Sequence, residues 1–400
     1  MYHLSTTAAR NPKPFFWISG AIAVILIALA VVPTVRPNWA PFLNGLTIDT
    51  DPENMLSKEA PVRLRHEDLK KKFDIYDFVV VGVVNETNKA GVFNPTDLEH
   101  IKTLTETAGG LSYTIRKGDN TGTARVITDE IIALSTVDNI ETQSPGTVSF
   151  SWLMQVAPDT LEKAQTISEQ ALNIPMYNGT LVSDKGDAVA LYFPISDKSI
   201  SHRVELDLKK TIDQFQETGA DYHFTGLPVA EDRFGSEMFR QMAVSVPLAF
   251  LCVFGLLWFF FGHVRIITIS LLAAMVSVIS TMTLLVISGQ TVHIMSSMIP
   301  IFIILIAVLD DIHILSDFYD KYSPDRDRLQ IIEEVMNELW RPMWYTTLTT
   351  AAGFASLMLT PIPPVQVFGF FVAVGVMLAW FFTVTLLPAY FMVLPDKALA

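Results

Sequence analysis

Hydrophobic and polar positions divide the chain into three zones. Residues 14–35 form an apolar run without a single charge, and five more long apolar runs follow at about 242–262, 266–288, 292–316, 343–360 and 365–392. A run of about 18 apolar residues or more is long enough to cross a bilayer. The pattern therefore predicts six transmembrane helices in a 1 + 5 arrangement: a cytoplasmic stretch 1–13, a first span, a soluble domain 36–240, and a bundle over 241–395. The last span is long enough to tilt, or to break near Pro388. Pro300 within the fourth span and Pro361, Pro363 and Pro364 after the fifth can kink or end helices. Between the fourth and fifth spans lies a charged connector, 317–342. Its stretch from Leu329 to Leu339 is amphipathic and is expected to lie along the membrane surface.

The middle zone has the periodicities of a soluble α/β fold. Asp77 to Val84 (DFVVVGVV) is a β-branched strand run. Asn94 and Pro95 then open a helix, as cap and first-turn residue, with Leu98, Ile101 and Leu104 on one face. Residues 126–135 are mixed. Residues 158–172 and 204–215 are amphipathic and helical. Ala188 to Ile195 (AVALYFPI), after a Lys185-Gly186-Asp187 turn, and Tyr222 to Thr225 are strands. Strands alternating with helices predict split βαβ units, ferredoxin-like, with helices on one face of a sheet. About 200 residues suffice for an independent core.

Charge sharpens the picture. Of the net −13, residues 36–240 supply −11, from 31 acids and 20 bases, so the bundle is near neutral. An acidic soluble domain argues against nucleic-acid binding, which needs a basic patch. Arg10, Lys13, Arg265, Lys321, Arg326, Arg328, Arg341 and Lys397 fall on one side if six spans alternate, and the short loops near Gly289 and Pro363 hold no base. That asymmetry predicts both termini in the cytoplasm and residues 36–240 outside. Aromatic residues at Phe15 to Trp17, at Trp258 to Phe261, and at Trp340 with Trp344 suit the cytoplasmic interface. A cleaved signal peptide fits less well, because the first run has full span length and residues 33–37 offer no small-x-small site. The one cysteine, Cys252, cannot form an internal disulfide.

The candidate chemistry sits in the fourth span, which ends AVLDDIHILSDFYD over residues 307–320. Asp310, His313 and Asp317, at i, i+3 and i+7, project within an arc of about 60° on a helix, and Asp311 points about 100° away from Asp310 toward another neighbour. A charged residue at mid-membrane costs at least about 2.5–3.5 kcal/mol, so buried acids need partners or a water path. Sheltering a carboxyl favours its neutral form and an imidazole titrates near neutrality, so the cluster suits a proton relay. Helix pinning by hydrogen bonds and a metal site are the rival readings. The metal reading lacks a second histidine-rich segment, since His293 lies about 25 Å from His313 along the span. The fifth span opens with a hydroxyl-rich run, and Thr346, Thr349 and Thr350 are its candidate relay partners; ordinary small-residue packing is the alternative. No Walker A motif and no Ser/His/Asp or Cys/His arrangement is present. An intramembrane aspartyl protease would need acids on two facing helices, and only the fourth span carries any.

With these residues in view the chain resembles the resistance–nodulation–division (RND) superfamily, and within it the predicted exporters related to the mycobacterial-membrane-protein-large group. Val308 to Leu315 (VLDDIHIL) resembles the fourth-helix Asp-x-x-His segment, Thr349 to Phe354 (TTAAGF) the fifth-helix signature, and Phe368-Gly369 with Thr383 to Pro388 (TVTLLP) the sixth; Gly226 to Val229 (GLPV) also fits. The resemblance implies proton-driven export of a hydrophobic or lipid-like molecule, with no cofactor beyond the coupling proton and no enzymatic reaction. It assigns the relay to Asp310 and, more weakly, His313. It also implies a porter-type outer domain. Two departures stand out. Some relatives carry Asp-Tyr where this chain has Asp310-Asp311, and a typical member contains two six-helix repeats. One repeat implies a dimer or higher oligomer, a partner subunit, or half of a longer protein. A lipid- or sterol-sensing or scaffold protein built on the same bundle is the rival from another class, and a translocase accessory a third.

Overall fold

The computed structural model describes residues 2–36, 39, 43–49, 51–117, 120–144 and 147–395. Lys397, one of the basic residues of the topology argument, lies outside them. The chain divides into two compact units, Met1–Leu64 with Gly235–Ala400, and Arg65–Phe234.

In chain order the elements begin with α1 (Tyr2–Arg10), α2 (Pro12–Val35) and α3 (Pro61–Phe73). The soluble unit follows with β1 (Asp77–Val84), α4 (Pro95–Gly109), β2 (Ser112–Lys117), β3 (Asn120–Arg125), β4 (Asp138–Ser144), β5 (Thr147–Trp152), α5 (Leu161–Asn173), β6 (Ala188–Ile195), α6 (Ser201–Ile212) and β7 (Asp221–Thr225). β1 buries Val79, Val81 and Val83 on one face, the period-2 pattern of a sheet covered on one side. Its neighbours are β6 and β7, both antiparallel, in the order β6-β1-β7. Beyond β6, single antiparallel bridges join Val126 to Ile195 and Ile132 to Tyr192. Leu98, Ile101 and Leu104 of α4 and Val204 and Leu208 of α6 enter the same core. The Asn94 cap forms as the sequence predicts, its side chain accepting from the Asp97 N–H. The hairpins β2–β3 and β4–β5 extend from this core and were not among the predicted strands. At the end of β7, Gly226 (φ +114°) passes so close to β1 that a Cβ would lie 2.2 Å from the Phe78 carbonyl oxygen.

The bundle unit contains α1 and α2, most of α7 (Leu227–Phe261), then α8 (Val264–Ile287), α9 (Ile299–Lys321), α10 (Arg328–Ala355) and α11 (Pro363–Val393). Among the described residues, five helices are long and apolar enough to cross a membrane: α2, α7, α8, α9 with its preceding turn, and α11. The expected fifth span, 343–360, is the second half of α10 followed by a 3-10 turn, Ser356–Leu359, and the first half of α10 carries Glu333, Glu334, Glu338 and Arg341. Three expectations change here. The 329–339 stretch is not a separate element: it runs into the expected fifth span through Pro342 as one helix, and Ile331, Ile332, Val335 and Met336 pack with Ile314, Leu315, Phe318 and Phe391. α11 continues through Pro388 without a break. Pro300 sits in the first turn of α9, where its missing N–H costs nothing, and starts the helix rather than kinking it. The stretch before the first span is itself helical, as α1, with Ala8 and Ala9 buried and Arg10 bonded to Glu333 at 3.0 Å.

Candidate functional site

The buried face of α9 carries Ile303, Ile304, Ala307, Ile314 and Phe318. Counting about 100° per residue, Asp311 lies near the centre of that face and Asp310 near its edge. Asp311 is fully buried and Asp310 is 9% exposed. His313 falls on the far side and is exposed, in one stripe with Leu305, Leu309 and Ser316. The 60° arc predicted for Asp310, His313 and Asp317 is geometrically sound, but the core takes only one edge of it.

Four helices meet at the two aspartates. From α11, the Thr383 hydroxyl donates to Asp311 Oδ1 at 2.6 Å. From α8, fully buried Ser270 neighbours the same carboxyl, yet neither its Oγ nor Asp311 Oδ2 has a protein hydrogen-bond partner. From α10, the buried Thr347 hydroxyl lies 3.4 Å from Asp310 Oδ2 while also bonding the Met343 carbonyl at 2.8 Å. Close helix approach makes this geometry attainable. At Gly375 of α11 a Cβ would stand 2.4 Å from Ile303 Cδ1 and 2.8 Å from Thr281 Oγ1, so the missing side chain lets α11 sit this near α8 and α9 without displacing those side chains. One turn before Thr383, Trp380 Nε1 is a further buried donor without a protein partner. Buried polar atoms normally find partners, so Ser270 Oγ and Asp311 Oδ2, two orphans on facing helices, mark a site rather than a packed core.

The other predicted residues stand apart from the carboxyls. Asp317 pairs with Lys321 at 3.0 Å, and Lys321 reaches Glu338 at 2.6 Å, an ion-paired cluster at the end of α9. Thr346 and Thr349 are exposed and bond carbonyls of their own helix, Pro342 and Thr346 respectively; Thr350 is half-buried. Thr347, Thr383 and Ser270 were not singled out by sequence reasoning, although Thr383 lies within the quoted TVTLLP segment. The signal for Ser270 was available in the run of hydroxyls along a largely apolar helix, where Ser270, Ser277, Ser280, Thr281 and Thr283 are all buried. Among the described residues no three side chains of metal-ligand type converge.

At the opposite end of the bundle unit, His293 joins a second polar network. Its Nδ1 lies 3.5 Å from Asp49 Oδ2, and its Nε2 is 2.7 Å from the Thr291 hydroxyl. Asp49 accepts from Asn54 Nδ2, and Arg63 donates to Asn54 Oδ1 at 2.8 Å. Backbone bonds between Val292 and Thr47 and between Asp49 and Val292 hold the segment after α2 against the loop before α9. Along the flank, an apolar groove of about 430 Å³ runs between α7 and α9, lined by Leu256, Phe260, Leu305, Leu309 and Ile312.

The sequence model described as the MMPL family matches residues 120–399, which includes all of this site. No curated protein matches the chain.

Proposed function

The chain belongs to the MMPL family, and on that premise we propose that it is a proton-coupled transporter of RND type that moves a hydrophobic or lipid-like molecule. Family membership and the apolar helices make it a multi-pass membrane protein. In this reading the second half of α10 is the fifth of six spans and α11 the sixth. The distribution of basic residues supports both termini in the cytoplasm and residues 36–240 outside the inner membrane, as a porter-type domain built on the β6-β1-β7 sheet with α4 and α6. A second copy or a second six-helix repeat completes the unit.

The observation that carries the reading is Asp311, wholly buried and satisfied on one oxygen only. An anionic carboxylate there presents Oδ2 to the neighbouring Ser270 hydroxyl, which can donate to it on a small approach of α8 to α9. A proton taken up at Oδ2 removes the charge that draws this hydroxyl and turns that atom into a donor. Protonation and deprotonation thus reverse the polarity of the α8–α9 contact, a local change able to bias how two membrane helices pack. Asp310, at the edge of the face and within reach of Thr347, is the group through which protons pass between Asp311 and the membrane boundary. Membrane-embedded acids are costly, and where they persist they serve such pathways. The apolar groove beside α9 supports a hydrophobic cargo.

The test is flux in proteoliposomes. A fluorescent lipid analogue should move when a proton gradient is imposed, and Asp311→Asn should abolish that movement while the protein remains folded. Equal flux in the substituted protein would remove the relay. Binding of the analogue by both proteins without gradient-driven movement would point to a lipid sensor instead.

A further inference from the structure

The 13 residues of α3 include no buried residue, an unusual state for a helix that short. Isolated helices of this length are marginal in water, and most helical stability comes from packing an apolar face. At about 100° per residue, Val62, Leu69 and Phe73 fall within about 40° of one another. Val62 and Phe73 are each 63% exposed. Arg65 and Lys72 flank this stripe on one side, His66 and Lys70 on the other. Both acids, Glu67 and Asp68, lie on the opposite face. Five bases against two acids give α3 a net charge of +3 within a region of net −11. Arg65 and Lys72 form no ion pair among the described residues.

The start of the helix is fixed at a definite level. Arg63, in its first turn, bonds the carbonyls of Glu53 and Leu56 as well as Asn54, and through Asn54 and Asp49 it is linked to His293 just before α9. Asn44 also donates to the Ile287 carbonyl at the end of α8. These are the ends of membrane-spanning helices, so α3 starts where the bundle meets the bilayer surface.

We propose that α3 is an interfacial helix that lies in the headgroup layer of an anionic bilayer, with Val62, Leu69 and Phe73 among the acyl-chain ends, Arg65 and Lys72 extended to lipid phosphates, His66 at the headgroup level on the other side of the stripe, and Lys70 held on Asp77 at 2.9 Å. A narrow apolar stripe bordered by bases on both sides, with the acids turned away, is the pattern of a helix lying in a membrane surface. Each basic residue near an anionic surface contributes about 1 kcal/mol, or about fivefold in the bound-to-free ratio. The helix would thereby hold the segment between the first span and the outer domain against the membrane.

The experiment uses the full chain with Cys252→Ser and a single labelled cysteine at His66→Cys, beside the stripe. It is reconstituted in nanodiscs of phosphatidylcholine, with or without phosphatidylglycerol. With anionic lipid, an environment-sensitive fluorophore should be quenched by doxyl-labelled lipid and shielded from aqueous iodide, and high salt should reverse both. Arg65→Gln with Lys72→Gln should lower the bound-to-free ratio about 25-fold, whereas Glu67→Gln with Asp68→Asn on the far face should not lower it. Equal iodide access in both lipid compositions would overturn the proposal. So would shielding that depends on protein concentration with no lipid quenching, which would assign the face to a second copy.

Discussion

Two aspartates, one in each unit, are both fully buried and are treated in opposite ways. In the soluble unit, Asp97 receives Thr218 Oγ1 at 2.5 Å on one oxygen, and Asn85 and Asn94 at 2.7 and 2.6 Å on the other. In the bundle, Asp311 receives Thr383 on one oxygen and no protein donor on the other. The first carboxylate pins the start of α4 to the strand ends around it. The second is left incompletely satisfied in the part of the molecule where that costs most. Burial by itself therefore does not mark a functional acid. What distinguishes Asp311 is the partnership it lacks.

Exchanging each acid for leucine should separate the two roles most widely. Asp97→Leu strands the donors of Asn85, Asn94 and Thr218, at about 1–3 kcal/mol each, and should lower the denaturation midpoint of the purified protein sharply. Asp311→Leu replaces a poorly satisfied buried acid by an apolar group, which is commonly neutral or stabilising, and should leave the midpoint unchanged or raised while ending flux. Matching losses of stability in the two variants would erase the distinction.

A smaller effect is expected from the hydroxyls. Thr383→Val removes the one donor to Asp311 Oδ1. A hydrogen bond to a charged group is worth about 1.5–3 kcal/mol, so initial rates of gradient-driven flux should fall about tenfold or more. Thr346→Val removes a hydroxyl that bonds only its own helix and should leave those rates unchanged.

The smallest effect concerns pH in the soluble unit. His100 is buried, stacked on Phe215 at 4.2 Å, and 3.2 Å from the Tyr222 hydroxyl. Burial pushes its pKa below the ordinary 6.5, against the opposing pull of Asp97 and Glu99. The unfolded chain therefore binds the proton more readily than the folded one. Stability from this residue is present above pH 6.5 and is lost as pH falls toward the lowered folded value. Thermal melts of the full chain should show a decline on mild acidification that His100→Gln reduces; an unaltered slope would assign it to other groups.

How much of this was legible in the sequence depended on the kind of signal. β1 and β6 fall on their predicted residues because β-branched runs between turn residues specify a strand locally. The Asn94 cap is equally local. The hairpin strands NTGTAR and DNIETQS were missed because they lack a regular apolar alternation, whereas the alternation in SYTIRK (Tyr113, Ile115) and TVSFSW (Val148, Phe150, Trp152) was legible and was passed over. On α9 the spacing gave the relative directions of Asp310, Asp311 and His313, but not which direction faces the core. That phase is set by α8, α10 and α11. On α10 the phase was recoverable: Met336, Met343, Thr347 and Ala351 continue one buried stripe through Pro342. Ending the amphipathic stretch before the proline hid that continuity, so Thr346, Thr349 and Thr350 were favoured over Thr347.

The central claim is that the carboxyl of Asp311 gains and loses a proton while remaining in the bundle. Infrared difference spectroscopy of the protein in lipid, stepped across neutral pH, reads that event as the C=O stretch of a protonated carboxyl. The account predicts a band that appears on acidification and is absent in Asp311→Asn. A band unchanged by that substitution, or no pH-dependent carboxyl band in the native protein, would contradict it.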